Sequence, residues 1–268
     1  MFGRRSDGAL VRDLPKLRRF MPFVSPRRND SLFYYAHEIE VDAALAFLDQ
    51  QNAARPAERP ITLFHLYLRS IQLGMHENPD INRFVAGGRI YQRNSLPLTF
   101  SAMKELQKGS VLLTVKREFP AGETLHGMVD RVLDSLVSRR SGKKTQADKE
   151  IDLALYLPSF LIRGVMQLLN WGNALGVLPK SMMDDDPLFT SLFVANMGSI
   201  GMETGHHHLW EYGTCSGFCV MGKIRTRPDG SRYVQCSYTW DERVADGLAT
   251  SFALSAFKER VENPEKLL

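Results

Sequence analysis

The chain has 268 residues and a mass of 30.4 kDa, with 44% apolar and 24% charged residues, which suits one large soluble domain or two small ones. The formal net charge is +4, yet residues 1–30 alone carry +5 (Arg4, Arg5, Arg12, Lys16, Arg18, Arg19, Arg27 and Arg28 against Asp7, Asp13 and Asp30), leaving the remainder at −1. A near-neutral body argues against a nucleic-acid-binding core, and three cysteines without a CxxC pair, Cys215, Cys219 and Cys236, give no disulfide framework and fit a reducing, cytoplasmic setting.

Residues 1–30 read as an irregular basic arm, expected to lie solvated against a neighbouring subunit, with no apolar run that would make a signal peptide. SLFYYAHEIEV alternates as a strand through Ile39 and Val41 and turns helical at Asp42, the expected N-cap. PITLFHLYLRSIQLGMHENP is an amphipathic helix closed by Asn78-Pro79. RIYQRN, LPLTFSAM and SVLLTVKREF read as strands, TLHGMVDRVLDSLVSRR as a helix with one apolar face, and SGKKTQADKE as a solvated loop.

Residues 151–179, IDLALYLPSFLIRGVMQLLNWGNALGVLP, are the most apolar part. Pro158 and Arg163 interrupt them, and the longest uncharged stretch, Gly164 to Pro179, has 16 residues. A spanning helix needs about 20. The expectation is a buried or partly exposed helical hairpin, with contact to a membrane surface as the lesser alternative. An acidic turn at Asp184, Asp185 and Asp186 follows, then strands in LFTSLFVANMG, TCSGFCVMGKI and YVQCSYTW, the last two joined by the Asp-Gly of RPDGS. GLATSFALSAFKERVEN closes the chain as a helix before PEKLL. No internal repeat or composition shift cuts the chain, and one α/β domain is expected.

Four stretches carry a family resemblance. DERVADGL, from Asp241, resembles the Asp-His-Arg-Val-x-Asp-Gly signature of the dihydrolipoyl acyltransferase cores of 2-oxoacid dehydrogenase complexes, relatives in fold of chloramphenicol acetyltransferase. ENPDINRFVAGGRIY is similar to the family's helix end and following strand, ANMGSIG to its Ser-Asn-Leu-Gly loop, and VENPEKLL to its C-terminal ending. The resemblance covers roughly residues 18–268 in the family's order and departs over 145–190, an apolar helical insert. It implies a chloramphenicol acetyltransferase-like two-layer α/β sandwich, a mixed sheet with helices packed on it, over residues 31–268. With no lipoyl-bearing or subunit-binding segment ahead of it, the chain resembles a stand-alone module.

By the same resemblance the function is acyl transfer between coenzyme A and an unidentified acceptor, in a homotrimer with each site between two subunits and without a metal. The tail implies a higher cage through Leu267 and Leu268. The family's catalytic histidine falls at Glu242 and its oxyanion-binding hydroxyl at Ala195, beside Asn196. Its structural aspartate is Asp246, with Arg18 or Arg19 as partner. The alternative is therefore a catalytically inactive scaffold that keeps the oligomer. An ordinary Glu, near 4.3, is about four units too weak a base for a thiol near 8.5 unless burial raises it. His206, His207 and His208 offer a second source of a base, His207 and His208 foremost. They also read as loop histidines bonded to backbone, or as zinc ligands with Cys215 or Cys219, although that spacing matches no common pattern. Ser199, Thr190 and Ser191 could supply a hydroxyl in place of Ala195.

Overall fold

The computed structural model describes residues 5–103, 112–142 and 146–268. Arg4, residues 110–111 of the expected SVLLTVKREF strand and residues 143–145 of the expected loop lie outside them.

Nine strands form among the described residues: β1 Gly8–Leu10, β2 Leu32–Glu40, β3 Arg83–Ala86, β4 Arg89–Arg93, β5 Pro97–Met103, β6 Leu112–Glu118, β7 Leu192–Asn196, β8 Gly217–Thr226 and β9 Arg232–Asp241. Six make a mixed sheet in the order β2-β9-β8-β7-β5-β6, parallel at β8–β7 and β7–β5 and antiparallel elsewhere. The other three make a small antiparallel sheet, β1-β4-β3. The helices are α1 Lys16–Val24, α2 Asp42–Asn52, α3 Leu63–Glu77, α4 Leu125–Arg140, α5 Gln146–Ala154, α6 Ser159–Leu175, α7 Lys180–Asp185 and α8 Gly247–Glu262.

Period-two alternation sorts the large sheet into two faces. Cys236, Tyr238 and Trp240 of β9, with Cys219 and Met221 of β8, face the main core, where α2, α3, α4 and α8 pack. Phe218 and Val220 of β8 face the other way and join Phe193, Ala195, Leu209 and Cys215 in a second cluster. Helix α3 is buried along nearly its whole length. It meets α8 at Gly74, where an added Cβ would lie 2.5 Å from the Phe257 ring.

The ends of the chain differ from expectation. The arm holds β1 and α1, and its start is clamped to its own chain: the Arg5 guanidinium donates to Asp7 (2.8 Å) and Asn173 Oδ1 (2.8 Å) and lies over the Phe84 and Tyr91 rings. Strand β1 pairs with β4 about eighty residues away, a pairing without local signal. At the other end Leu267 is fully buried, and its carbonyl accepts from Arg69 Nε (3.1 Å). Leu267 thus packs within its own chain, which removes one of the two leucines expected to reach a neighbour; Leu268 is exposed. Asp42 is not the N-cap of α2. Its carboxylate is held by the Arg232 amide (2.9 Å) and Nε (2.6 Å), and Val41 takes the cap position.

The apolar insert folds as α5, α6 and α7. Asn173 is the only residue of α6 that is buried, and most of its apolar side chains face solvent. No helix among the described residues is long and apolar enough to cross a membrane.

Candidate active site

Strand β9 delivers the chain to a tight turn, 242–245, ahead of α8. A buried ionic cluster holds that turn from behind. The Asp241 carboxylate, fully buried, accepts from Arg243 Nε (2.8 Å), Nη2 (2.8 Å) and amide (3.1 Å), with Arg28 Nε 3.7 Å away. Arg243 Nη1 also donates to the carbonyls of Ser25 (3.1 Å) and Pro26 (2.8 Å), and Arg28 donates to those of Trp210 and Gly213. Burial lowers the Arg28 pKa and Asp241 opposes the shift. Two buried cations around one buried anion are tolerable because backbone oxygens take donors of both guanidinium groups, Arg28 Nε alone facing the carboxylate without a hydrogen bond.

Glu242, between these buried residues, is exposed. Its amide donates to the Ser31 carbonyl (2.9 Å) and its carbonyl accepts from Arg18 Nη1 (2.5 Å). Its carboxylate makes no hydrogen bond or ion pair among the described residues. Arg18 Nη2 lies 3.3 Å from Asp246 Oδ2, so one guanidinium links the turn to the helix start. Asp246 also caps α8, accepting from the Ala249 amide (2.9 Å). Arg19, the other candidate partner, is exposed and makes no ion pair among the described residues. The cleft in front of Glu242, about 370 Å³, is lined by Leu14, Leu17, Arg18, Asp80, Arg83 and Asp246, among others.

The other expected site residues lie elsewhere. Asn196 pairs with Met221, Met221 with Cys236, and Gly217 with Trp240. Asn196 is thus level with a residue six positions before Glu242, roughly 20 Å along the sheet at about 3.4 Å per residue. Ala195 is buried in the second apolar cluster. Asn196 Oδ1 accepts from the Ser199 amide (3.1 Å), and Ser199 is exposed. Thr190 and Ser191 are buried; Thr190 donates to the Pro97 carbonyl (2.8 Å).

Residues 202–216 are irregular, so the histidine run has no strand alternation. His206 Nδ1 lies 3.2 Å from the Tyr238 carbonyl and its ring meets Tyr34 edge-on. His207 stacks on Phe218, and its Nδ1 donates to the His208 carbonyl (2.7 Å). None of the three is bonded to Glu242. Cys215 and Cys219 are buried on opposite faces of the sheet, burial raises both thiols, and no metal-ligating cluster occurs among the described residues.

No protein-family model matches the chain, and no curated protein sequence matches it. Solved structures do. A probable dihydrolipoamide acetyltransferase from Listeria monocytogenes superposes with a TM-score of 0.63 at 15% identity, over 94% of this chain and 94% of that one. The cubic core of the pyruvate dehydrogenase multienzyme complex gives 0.62 at 14% identity, over 97% and 94%. Chloramphenicol acetyltransferase gives 0.55 at 13% identity, over 96% and 98%. The fold is the chloramphenicol acetyltransferase-like one. Within it, Asp241, Arg243 and Arg28 are the site residues that the sequence reading passed over. The one available signal was Ser237, Thr239 and Asp241 recurring on a single strand face.

Proposed function

We propose that the chain is a coenzyme A-dependent acyltransferase whose proton-handling group is Glu242. The observation that carries this reading is the place of that carboxylate: it stands at an open cleft with no partner among the described residues, while its two neighbours in sequence are buried and bonded to hold it there. The likeness in fold to acyltransferase cores supports the reaction class.

The site needs a second copy. In one chain the 196–199 loop and Glu242 lie at different levels of the sheet, so a donor from that loop meets Glu242 only across a subunit boundary. We assign that donor to the Ser199 hydroxyl, since Ala195 carries none; the hydroxyl here donates to the Asn196 carbonyl (2.8 Å) and has to turn from it to meet an oxyanion. A homotrimer satisfies this arrangement. The neighbouring copy would also supply the desolvation that a carboxylate base requires and that its own chain does not give. The base takes the proton of the attacking thiol or hydroxyl, and the donor stabilises the oxyanion of the tetrahedral intermediate. The alternative, an inactive scaffold, rests on Glu242 and Ala195 together, standing at the positions where the resemblance implies a histidine and a hydroxyl.

Glu242→Gln is nearly isosteric and should abolish release of coenzyme A from acyl-CoAs of short and long chain while leaving assembly and melting temperature unchanged. Full activity in that variant, together with its loss in His207→Ala or His208→Ala, would transfer the role to the histidines. No transfer or hydrolysis by the parent across the acyl-CoA panel would leave the scaffold.

A further inference from the structure

Helices α1 and α6, far apart in sequence, pack against the same turn. They meet at the β3–β4 turn: a Cβ on Gly88 would lie 3.0 Å from the Phe23 ring of α1, and one on Gly87 would lie 2.4 Å from the Ala174 carbonyl of α6. The turn glycines therefore let both helices close onto the hairpin. From this junction α1 exposes Phe20 (59%) and Phe23 (64%), and α6 exposes Leu168 (63%), Trp171 (59%) and Leu175. Soluble surfaces seldom carry an apolar patch of this kind without an occupant.

The charge beside the patch identifies the occupant. A pocket of about 390 Å³ between α1 and the turn is lined by Arg12, Arg19 and Arg89 together with Phe23 and Ile90, and no carboxylate lines it. Among the described residues none of these three guanidinium groups makes a hydrogen bond or ion pair. Nearby arginines are paired, Arg18 with Asp246 and Arg83 with Asp80. A second copy seated on this face about a two-fold axis would set one arginine trio against another, which like charges oppose; a heterologous neighbour is the outcome that oligomer mass tests. An anionic bilayer surface meets both features, with phosphates for the arginines and the acyl boundary for the aromatic and aliphatic side chains. At 17 residues, α6 is about 25 Å long and would lie in the plane of the membrane rather than across it.

We propose that the α1–α6 face docks on an anionic lipid bilayer, Arg12, Arg19 and Arg89 taking lipid phosphate while Phe20, Phe23 and Trp171 enter the interfacial layer. This inference goes beyond acyl transfer and does not depend on it. Full-length protein is sedimented with phosphatidylcholine vesicles with and without phosphatidylglycerol. Binding is expected with the anionic lipid, weakening as salt is raised, with a blue shift of emission that Trp171→Phe removes. Reversing Arg12 and Arg19 to Glu should cut affinity by at least roughly ten-fold, at about 1 kcal/mol per charge near the surface. Absence of pelleting with either lipid overturns the proposal, as does displacement by inorganic phosphate at matched ionic strength, which would make the arginines a free-phosphate site. A drop in oligomer mass on light scattering for Phe23→Ser/Leu168→Ser also overturns it, by making the face a contact between copies of the chain.

Discussion

Asp241 and Asp246 flank the same turn and make opposite kinds of ion pair. Asp241 is enclosed with Arg28 and Arg243, so removing it strands two buried cations. Breaking a buried pair in this way costs about 3–5 kcal/mol, and Asp241→Ala should unfold at much lower urea or fail to accumulate as folded protein. A midpoint within error of the parent would show that Arg243 and Arg28 are satisfied by their carbonyl partners alone. Asp246 is largely exposed, and its pair with Arg18 is screened by solvent. Its larger contribution is the cap on α8, worth about 1 kcal/mol, so Asp246→Ala should lower the melting temperature by about 2–4 °C for a chain of this size. No shift would show the helix start to be held by Arg18 and the turn. Asp246 was visible through the resemblance of DERVADGL, which pointed to its pairing with Arg18 or Arg19; the cap on α8 is added by the structure. The role of Asp241 was not legible because its burial, and the enclosure of its Arg243 pair by Arg28 and the Ser25 and Pro26 carbonyls, depend on segments more than two hundred residues away.

At the level of elements, a hydrogen-bonded series ties β2, β9, α3 and β8 together inside the main core. Tyr67 donates to Tyr238 (2.6 Å), Tyr238 lies 2.8 Å from His37 Nε2, and Cys219 Sγ is 2.8 Å from the Tyr67 hydroxyl. With Tyr67 donating, Tyr238 is free to donate onward to His37, which must then be unprotonated at Nε2. Burial, with a smaller contribution from Lys258, pushes the His37 imidazole down to about 4, and burial with Arg55 does the same for His65. In the unfolded chain both titrate near 6.5. Between about 4 and 6.5 the unfolded chain therefore binds more protons, so stability rises with pH across that window and is lost as pH falls through it. At its acid end each histidine accounts for up to about 3 kcal/mol. Urea midpoints from pH 7 down to 4.5 should fall steeply in the parent and less steeply in His37→Gln, whose amide oxygen can still accept from Tyr238. An unchanged slope would mean that His37 is not a source of the acid sensitivity. Helix α8 was legible because its buried face writes itself into the sequence, and α3 and β7 to β9 because they are apolar runs buried on both sides and bounded by turn or cap residues. The histidine run was not, since a loop draped over a sheet has no period to read.

For the whole molecule, the sheet register constrains the chemistry more than any single side chain does. Parallel pairing of β7 with β8 and antiparallel pairing of β8 with β9 fix the 196–199 loop and the Glu242 turn at different levels of one chain. No side-chain movement spans roughly six residues of strand at about 3.4 Å each. The resemblance in sequence implied a site between two subunits, and the strand pairing supplies the separation of the two motifs within one chain. If the two halves of the site belong to neighbouring copies, each subunit of a cyclic oligomer presents Glu242 at one boundary and Ser199 at the other. Glu242→Gln and Ser199→Ala should each be inactive or strongly impaired, the second by about 100-fold or more for loss of an oxyanion donor. Unfolding the two variants together and refolding them as a mixture should restore activity, because some boundaries then join an intact Glu242 to an intact Ser199. Random assembly of equal amounts makes about a quarter of the boundaries of this kind. Recovery near that fraction of the parent rate, absent when the refolded variants are merely mixed, fits a site shared between chains. Activity no higher in the co-refolded sample than in the separate variants would place both groups within one chain or show that Ser199 is not the donor.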